Sequence, residues 1–598
     1  MITNFFIREA RFAWNELLAQ LCVPETHETV DFVFNEPEVQ VVAYTLEQVR
    51  PAIDYVEKAT RAGYYAAGFV AYEAAPAFDS ALCTHAVHDL PLMAFGLFRS
   101  VQSVPRPESA STTGKTSSGL WQAALDAESY LQSVQRIKKY LADGHTYQVN
   151  FCFPLDCSSF EEAPLDAYRR LVAHQPADTA SFLDCGSWAI VCTSPELFFE
   201  LHGEFLKTRP MKGTNPRGLW SSQDKQQAEQ LRSSPKQKAE NLMIVDLLRN
   251  DMGRISKLGS VSVERLFEIE RYPTVWQMTS TITSVTDASL EEIFSALFPC
   301  GSVTGAPKVR TMEIIRELEP RPRWVYCGAV GWIAPGRRAR FAVPIRTLVI
   351  DCERQKASYH VGSGIVIDSD PLEEYKECHS KARILVRTCT KEFALLETLR
   401  WDTEGFWYLE EHLERLRNSA DYFGYHYDEE IVRRELFATA RRLSHDAPWR
   451  VRLVLDKSGN ARISSEKLSP LPTPMKVRLA ARPIDPNDPL LYHKTTARTL
   501  YDEARQECED CDDVILWNPE GFVTESTIAN IVVDRKGELI TPPLSAGLLP
   551  GIMREVLLRE GRIKEAMCSV EELKAAEKVF LINSVRGWMP AVIAGIGA

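Results

Sequence analysis

A carboxylate and an amine in one stretch of the chain are of the types that acid–base or nucleophilic chemistry requires. Glu196 ends the run Ser194-Pro-Glu, and Lys212 lies in Thr208-Arg-Pro-Met-Lys-Gly-Thr. If folding buries both, the glutamate can act as an acid and the lysine as a base or nucleophile, because burial lowers the pKa of an amine. A surface Glu and Lys beside a turn are the alternative, and spacing alone does not exclude it.

Three further carboxylates are candidate ligands for a divalent cation. Glu240 begins the run Glu-Asn-Leu-Met-Ile-Val-Asp, and Glu374 and Glu377 lie three residues apart. On a helix the latter two share one face, and Mg²⁺ prefers carboxylate oxygens together with retained waters. Two solvated helix faces are the alternative interpretation.

Glycine-rich segments offer backbone amides to an anion. The run from Gly301 to Lys308 lacks the Gly-Lys-Ser/Thr ending of a P-loop. Gly362-Ser-Gly364 supplies further amides, and the Arg346 guanidinium can form a fork onto a carboxylate. We therefore expect a small carboxylate substrate rather than a nucleotide.

The C-terminal part contains a second set of chemically capable residues. Lys494 can condense with an aldehyde, and Glu525 can keep a pyridine nitrogen protonated. Arg415 offers a cation for a phosphate, and the turn Gly547-Leu-Leu-Pro-Gly551 is typical of a helix start with free amides. Together these are the groups that pyridoxal 5′-phosphate (PLP) requires. Singly, each residue type is more often found at the surface.

Both helices and strands are predicted as the elements that position these groups. Apolar residues at helical spacing predict helices over 128–143, 236–250, 410–423 and 552–560. Runs rich in β-branched residues predict strands over 189–193, 341–350 and 451–455. The alternation of the two patterns predicts a mixed α/β or α+β chain.

Composition and charge exclude several classes of protein. Of 598 residues, 45% are hydrophobic and 25% are charged, which is typical of a globular chain with a large core. The net charge of -12 argues against nucleic acid and against anionic membranes as partners. Without an apolar run of membrane-spanning length or a signal-peptide pattern, we expect a cytoplasmic enzyme.

Two places are candidate boundaries between domains. Residues 101–120 are rich in Ser, Thr, Pro and Gly, which predicts a flexible loop. Near 388–392 one pattern ends and a strand-like run begins. We therefore expect one domain over 1–390 and a second over 391–598.

In their order, the motifs of the first domain resemble the chorismate-utilising enzymes, a family that includes anthranilate synthase, aminodeoxychorismate synthase component I and isochorismate synthase. The resemblance covers about residues 60–390 and implies two-layer sheets with outer helices. Anthranilate synthases have Ala where this chain has Lys212, and aminodeoxychorismate synthases typically have Lys. The resemblance therefore favours the aminodeoxychorismate branch.

The resemblance also implies a role for each candidate residue. Lys212 is the implied nucleophile, and Glu196 is the implied general acid for the departing hydroxyl. Mg²⁺ is implied at Glu240, Glu374 and Glu377. The implied contacts to substrate are Arg346, Tyr326, Thr304, Gly362, Ser363 and Gly364. One departure is Trp276 in Pro273-Thr-Val-Trp, where the family usually has His; an indole cannot move protons as an imidazole does.

The second domain resembles the class IV aminotransferase fold, also called PLP fold type IV, over about residues 393–595. Within that fold, Glu397-Thr-Leu-Arg and Asn583-Ser-Val-Arg-Gly are most similar to the aminodeoxychorismate lyases. The implied PLP-binding residues are Lys494, Glu525, Arg415, the amides of Ile552 and Met553, and Ser584. The family often has Thr where Met553 stands, so a side-chain hydroxyl is lost there. Relatives commonly dimerise, which implies a homodimer through this half.

The two resemblances together predict a bifunctional enzyme of folate biosynthesis. The first half would convert chorismate and ammonia to 4-amino-4-deoxychorismate, and the second would eliminate pyruvate from it to give p-aminobenzoate. No Gly-x-Cys-x-Gly nucleophile elbow is present, so a separate glutamine amidotransferase subunit is expected.

Three alternatives stay open at this stage. An anthranilate-type synthase could be fused to a true class IV aminotransferase. An isochorismate or salicylate synthase would use water in place of ammonia. A non-enzymatic scaffold would predict the loss of Lys212 or Lys494, and both residues are present.

Overall fold

A computed structural model describes residues 6–13, 30–87, 90–105, 120–385, 393–507 and 510–594. The chain divides into two compact units. The first unit is Met1–Pro216 with Ala228–Thr390, and the second is Arg217–Gln227 with Lys391–Ala598. In the ranges described, no helix combines the length and the apolarity needed to cross a membrane.

The first unit is built mainly from strands. In chain order they are β1 (Glu9–Ala13), β2 (Val30–Asn35), β3 (Val39–Ala43), β4 (Tyr65–Val70), β5 (Met93–Phe98), β6 (Gln102–Pro105), β7 (Trp121–Ala123), β8 (Gln148–Cys157), β9 (Ser181–Asp184), β10 (Trp188–Cys192), β11 (Leu197–His202), β12 (Phe205–Arg209), β13 (Met211–Pro216), β14 (Ser262–Arg271), β15 (Val275–Val285), β16 (Gly305–Ala306), β17 (Ala329–Ala334), β18 (Arg338–Ala342), β19 (Thr347–Asp351) and β20 (Lys356–Ile365).

Nine helices accompany these strands in the described part of the chain before residue 386. They are α1 (Leu46–Arg61), α2 (Ala75–Phe78), α3 (Ala127–Ala142), α4 (Pro164–His174), α5 (Ser221–Ser233), α6 (Pro235–Gly253), α7 (Leu290–Leu297), α8 (Lys308–Leu318) and α9 (Pro371–Ala382). Helix α5 begins within the segment that belongs to the second unit.

Within the described residues, the strands form two antiparallel sheets of ten strands each. One has the order β16-β8-β20-β19-β10-β9-β1-β2-β6, with β7 beside β8. The other has the order β13-β15-β12-β11-β18-β17-β4-β5-β3, with β14 beside β15. Side chains of both sheets share one buried cluster, in which the ring centres of Phe34 and Phe98 lie 5.6 Å apart. Two further clusters join the outer face of each sheet to helices. This confirms the predicted two-layer sheets with outer helices.

The second unit holds two smaller sheets and five further helices in the ranges described. Its strands are β21 (Leu395–Asp402), β22 (Gly405–Phe406), β23 (Trp449–Leu455), β24 (Ala461–Lys467), β25 (Met475–Leu479), β26 (Asp513–Trp517), β27 (Val523–Ser526), β28 (Asn530–Arg535), β29 (Glu538–Thr541), β30 (Lys564–Glu565), β31 (Val579–Asn583) and β32 (Gly587–Ile593). Its helices are α10 (Leu409–Phe423), α11 (Glu429–Ala440), α12 (Thr499–Gln506), α13 (Ile552–Arg559) and α14 (Val570–Lys574).

The two sheets of this unit differ in strand direction. The four-stranded sheet β22-β21-β23-β24 is antiparallel. The eight-stranded sheet β27-β26-β25-β32-β31-β28-β29-β30 is mixed, because β25 runs parallel to both of its neighbours. The mixed helix and sheet content predicted from the sequence is thus found in this unit as well.

Residues Arg217–Gln227 are an unpredicted part of the second unit. The Arg217 guanidinium lies 4.4 Å from the centre of the Tyr422 ring, and the Tyr422 hydroxyl donates to the carbonyl of Gly218 at 2.8 Å. The Trp220 ring lies 5.2 Å from that of Tyr492. A segment between two elements of the first unit therefore supplies core contacts to the second.

Most predicted elements are present, with one clear error. The four predicted helices appear as α3, α6, α10 and α13, each shifted by at most a few residues. The single strand predicted over 341–350 is wrong. It is interrupted between Ala342 and Thr347, where Pro344 lacks a backbone N–H and Arg346 adopts a φ of 52°.

The loop predicted over 101–120 is partly a strand. Residues Gln102–Pro105 form β6, which pairs with β2. Residues 106–119 lie outside the described residues, as does the whole of the predicted boundary at 388–392.

Candidate active sites

The first candidate site is a cavity of about 320 Å³ in the first unit. Lys212, from β13, and Glu196, which directly precedes β11, both line this cavity. Each of the two side chains favours the charged form of the other. The structure therefore brings the predicted acid and nucleophile together.

Burial shifts the pKa values of Glu196 and Lys212 in opposite directions. It raises the pKa of Glu196 to about 7, although Ser302 Oγ donates a hydrogen bond to Glu196 Oε1 at 2.5 Å. Burial lowers the pKa of the Lys212 amine, and the nearby Glu240 only partly opposes this. Near neutral pH the cavity thus holds a carboxyl that can donate a proton and an amine that more readily becomes a nucleophile.

A bulge in β13 directs Lys212 into the cavity. The pairing of β13 with β15 shifts register between Met211 and Thr214, and Gly213 has a φ of 104° there. Such a bulge changes the direction in which a side chain points. From α6, Asn241 Nδ2 donates to the carbonyl of Lys212 at 3.0 Å and so fixes the strand.

The predicted glycine segment lies against the nucleophile. Gly362, Ser363 and Gly364 line the cavity from β20. A Cβ atom on Gly364 would lie 2.4 Å from Lys212 Nζ and 3.0 Å from Gln148 Nε2. Glycine is therefore required for the close approach of this strand to Lys212.

Gln148 is a site residue that the sequence analysis missed. It is fully buried on β8, and neither its amide nitrogen nor its amide oxygen has a hydrogen-bond partner within the described residues. A buried, unsatisfied amide is costly in a folded protein, so its place beside Lys212 indicates a polar ligand. No spacing rule distinguishes a glutamine in a strand, so the sequence contains no signal for it.

The three carboxylates predicted for Mg²⁺ line the same cavity, Glu240 from α6 and Glu374 and Glu377 from α9. Burial raises the pKa of Glu240, and the charges of the other two raise it further. Glu377 Oε1 lies 2.7 Å from Lys381 Nζ. Among the described residues, no three metal-ligating side chains converge on one point. The oxygen donors and their mutual repulsion suit a hard divalent cation, and the Mg²⁺ site stays a prediction.

Most of the predicted substrate contacts lie in the cavity wall. Arg346 Nη1 donates to the carbonyl of Lys381 at 3.1 Å, and Tyr326 stacks on His360 with ring centres 5.2 Å apart. Thr304 is the exception. Its hydroxyl donates to the carbonyl of Cys300 at 3.0 Å, and its side chain is fully buried away from the wall, which Ser302 forms instead.

Trp276, where the sequence departs from the family's usual His, is not among the residues of the cavity wall. Alternate side chains of a strand point to opposite faces, and in β15 the residues on the cavity wall are Val275 and Gln277. Gln277 Oε1 accepts a hydrogen bond from Thr214 at 2.9 Å. At this wall β15 thus presents the Gln277 amide, which does not transfer protons.

The second candidate site lies in the second unit, around Lys494 and Glu525. Burial lowers the pKa of Lys494 to about 8 and raises the pKa of Glu525 to about 8. The Tyr501 hydroxyl donates to Glu525 Oε1 at 2.9 Å, and Asn530 Nδ2 lies 3.3 Å from Glu525 Oε2. A reactive amine and a proton-holding carboxyl are thus brought together, as the sequence predicts.

The predicted turn before a helix is confirmed at the start of α13. Gly551 is the N-cap residue, and no side chain caps the helix. The side chains of Ile552 and Met553 are buried, so only their amides are available to an anion. A Cβ on Gly551 would lie 1.8 Å from Asn530 Oδ1, which makes glycine necessary there.

Arg415 is ion-paired in this structure, and its contact with a phosphate stays a prediction. Its Nε and Nη2 donate to the two carboxylate oxygens of Glu397 at 2.9 and 2.7 Å, and its Nη1 donates to the carbonyl of Pro550 at 3.0 Å. Ser584 Oγ lies 3.0 Å from His412 Nε2. Glu397, quoted as part of a motif, and His412 are functional residues that sequence reasoning did not assign. The lysine, the acid and the uncapped helix fit PLP, and Arg415 brings donors but, paired with Glu397, no net charge.

Comparison with known proteins agrees with this division. The model of the chorismate binding enzyme family matches residues 9–387, and that of the class IV amino-transferase family matches residues 394–593. The former match covers more than half of the chain.

Individual relatives match the first unit. Aminodeoxychorismate synthase component 1 of Bacillus subtilis (strain 168) is 38% identical over 271 residues, 45% of this chain and 57% of that protein. Anthranilate synthase component 1 of Synechocystis sp. is 38% identical over 271 residues, 44% of this chain and 53% of that protein. The chain thus spans just over half the length of these relatives.

A solved structure shares the fold of the first unit. Anthranilate synthase component I from Streptococcus pneumoniae TIGR4 superposes with a TM-score of 0.53 at 23% identity, covering 62% of this chain and 98% of that one. At this identity the likeness concerns the fold alone.

Proposed function

Because the chain belongs to the chorismate binding enzymes, we propose that its first unit aminates chorismate to 4-amino-4-deoxychorismate. The observation that carries this proposal is the pair of Lys212 and Glu196, whose pKa values burial moves in opposite directions within one cavity. A lysine nucleophile beside an acid suits replacement of a ring hydroxyl by ammonia.

Each of the two residues has a defined part in the proposed reaction. The neutral Lys212 amine bonds to C2 of chorismate, both ring double bonds shift by one position, and the C4–O bond breaks as Glu196 gives its proton to the leaving hydroxyl. Ammonia then bonds to C4, the bond from C2 to Lys212 breaks, and the surplus ammonia proton returns to Glu196. Chorismate and ammonia are consumed, and aminodeoxychorismate and water are formed.

The remaining wall residues would bind and orient the substrate. Arg346, in the cavity wall, is placed to pair with a carboxylate of chorismate. Gln148, close to Lys212, offers an unused amide. A Mg²⁺ ion held by Glu240, Glu374 and Glu377 would offset the charge of the ring carboxylate. We propose that ammonia comes from a separate glutamine amidotransferase subunit.

For the second unit we propose elimination of pyruvate from aminodeoxychorismate. PLP, when bound, would delocalise the electron pair released at C4 of the substrate. Lys494 would hold the cofactor and take the C4 proton, which its lowered pKa favours. Glu525 would hold a proton at the pyridine nitrogen, and the α13 amides with Ser584 would hold the phosphate. The C3–O bond then breaks, and p-aminobenzoate and pyruvate are released. The cytoplasmic location and the homodimer stay predictions.

A product assay tests both steps. The purified chain is incubated with chorismate, Mg²⁺, PLP and high ammonium at alkaline pH, and the products are separated by chromatography. We expect p-aminobenzoate and pyruvate from the natural chain, aminodeoxychorismate from Lys494→Ala, and unreacted chorismate from Lys212→Ala.

Other products would contradict the proposal. Anthranilate would support the alternative of an anthranilate-type synthase fused to a true aminotransferase, and isochorismate would show that water replaces ammonia. Aminodeoxychorismate as the end product of the natural chain would refute the lyase step alone. Repeating the assay with glutamine and an amidotransferase tests the source of ammonia.

A further inference from the structure

The cation predicted for the cofactor phosphate is already neutralised. Arg415 and Glu397 form a two-pronged ion pair, and Arg415 and His412 hold the pKa of Glu397 at about 2, against the effect of burial. Glu397 is therefore ionised at every working pH, and the formal charges of the pair cancel. A phosphate dianion at the start of α13 would meet no net positive charge from this pair.

His412 continues this ion pair as a chain of hydrogen bonds. Its Nδ1 lies 2.6 Å from Glu397 Oε2, and its Nε2 lies 3.0 Å from Ser584 Oγ. The side chains of His412 and Glu397 are 1% and 2% exposed. At the other end, Arg415 Nη1 binds the carbonyl of Pro550, just before α13. The chain thus connects the turn before the uncapped helix with Ser584.

The direction of the last hydrogen bond depends on the charge of His412. The ionised Glu397 only accepts hydrogen bonds, so Nδ1 of a neutral His412 carries the proton and Nε2 is a bare acceptor. Ser584 must then donate to Nε2, which leaves only oxygen lone pairs for a phosphate. In protonated His412, Nε2–H donates to Ser584 Oγ, and the serine proton is free to point at an anion.

We propose that His412 is a positioning residue of the phosphate site, and that a phosphate dianion binds there together with one proton taken up by His412. The imidazolium then supplies the net positive charge that the Arg415–Glu397 pair lacks, and it turns Ser584 into a donor. This inference rests on the proposed PLP site.

The groups around His412 set the pH range of this uptake. Burial lowers its pKa in the empty site, and the cations Arg415 and Lys494 lower it further, whereas Glu397 raises it. Glu525 and Glu555 face Arg415 from β27 and α13. A dianion added beside Ser584 raises the pKa of His412. His412 is expected to take up the proton at pH values between its pKa in the empty site and its pKa in the occupied site.

Calorimetry with two unreactive ligands, one with and one without a phosphate, measures the proton that His412 takes up. The cofactor-free full chain is titrated with 4-deoxypyridoxine 5′-phosphate and with 4-deoxypyridoxine, neither of which has an aldehyde for Lys494. Measurements between pH 7 and 9 in buffers of different ionisation enthalpy give the number of protons bound. In this range the phosphate itself is largely a dianion, since its second pKa is about 6.

The difference between the two ligands is the decisive quantity. Proton exchange at Glu525 is common to both ligands and cancels. We expect the phosphate ligand to take up as much as one additional proton and to lose up to tenfold in affinity for each pH unit between the pKa values of His412 in the empty and in the occupied site. His412→Gln, whose amide does not titrate, should abolish both effects, as should Ser584→Ala. The matched control His445→Asn, an exposed histidine, should keep them.

Each other result has a definite meaning. Tight, pH-independent binding of the phosphate ligand to the natural chain would overturn the role of His412, as would an unchanged proton count in His412→Gln. If neither ligand binds, the proposed PLP site itself fails. If His412→Gln does not fold, the natural chain and Ser584→Ala still decide.

Discussion

At the scale of single residues, the first site depends on one carboxyl being kept partly protonated. Burial raises the pKa of Glu196 to about 7, and the hydroxyl of Ser302 is the strongest influence in the opposite direction. Ser302 Oγ also lies 3.1 Å from Cys300 Sγ. Ser302 therefore sets the upper pH limit at which Glu196 can still donate a proton to a leaving hydroxyl.

Ser302→Ala should move that limit upward. Without the donor, the ionised form of Glu196 loses a charged hydrogen bond of about 1.5–3 kcal/mol, which corresponds to a pKa rise of about one unit or more. Because the acid works when protonated, the fall of activity with rising pH should shift to higher pH. The measurement is kcat/KM for chorismate against pH at a fixed concentration of free ammonia.

The control for this prediction is Ser295→Ala. Ser295 Oγ also donates to a carboxylate, Glu291 Oε1 at 2.9 Å, but outside the cavity. Its pH profile should match that of the natural chain. An unchanged descending limb in Ser302→Ala would show that Glu196 is not the group that donates the proton.

At the scale of elements, the close approach of β20 to β13 fixes where the nucleophile can reach. A methyl group on Gly364 would lie 2.4 Å from Lys212 Nζ, the end of a flexible side chain. The fold can yield at such a point at little cost, because the groups that have to move are the ends of two side chains, the Lys212 amine and the Gln148 amide. A substitution at Gly364 can therefore displace the Lys212 amine without destabilising the fold.

Gly364→Ala should remove activity and leave the fold intact. A displacement of about 1 Å can cost on the order of 100-fold in rate, so we expect that loss in chorismate amination. The melting temperature should change by only a few degrees. In the control, Gly253→Ala, the new methyl group meets no atom within 4 Å and should keep full activity. Full activity in Gly364→Ala would mean that Lys212 reacts from another position.

Much of the arrangement follows from the sequence, and the exceptions share a physical cause. Lys212, Glu196 and Lys494 lie in motifs, so their order along the chain identifies them. Gln148 lies outside such patterns, and His412 lies three residues before Arg415 without a role of its own in the motif; the importance of both comes from neighbours distant in the chain. Contacts between distant residues arise from tertiary packing, which local periodicity does not encode.

A motif can also predict a ligand-binding residue whose polar groups are already used within the protein. Thr304 and Arg415 are of suitable types in suitable motifs, but their polar groups are used within the protein, by a turn carbonyl and by Glu397. Motif order predicts residue types near a site, whereas the contacts of each side chain decide which of them remain available to a ligand.

At the scale of the whole molecule, the second unit is not formed from one continuous stretch of chain. Leu219 and Trp220 pack in a cluster with Leu491, Tyr492 and Leu516. Arg217 and Asp224 form a nearly buried ion pair at 2.7 Å in the same segment. A chain limited to 391–598 would lack these contacts.

Trp220→Ala should destabilise the second unit. Loss of this partly buried aromatic side chain costs up to about 3 kcal/mol, which lowers the melting temperature of a unit of this size by up to roughly 6–12 °C. Differential scanning calorimetry of the full chain measures the change. The control Lys225→Ala removes an exposed side chain of the same segment and should leave the melting temperature unchanged. Equal melting temperatures of Trp220→Ala and the natural chain would contradict the assignment of the segment.

Because the second unit is discontinuous in sequence, its two parts are synthesised on the ribosome at different times. Trp220 leaves the ribosome roughly 270 residues before Tyr492, and at about 5–20 residues per second the interval is roughly 14–54 s. Until Tyr422 is made, the segment that follows the Lys212 strand has none of its later-synthesised partners, and until Tyr492 is made, its indole is exposed to other nascent chains and to chaperones. Slower translation over residues 230–490 should therefore reduce the yield of folded protein more than equal slowing after residue 520.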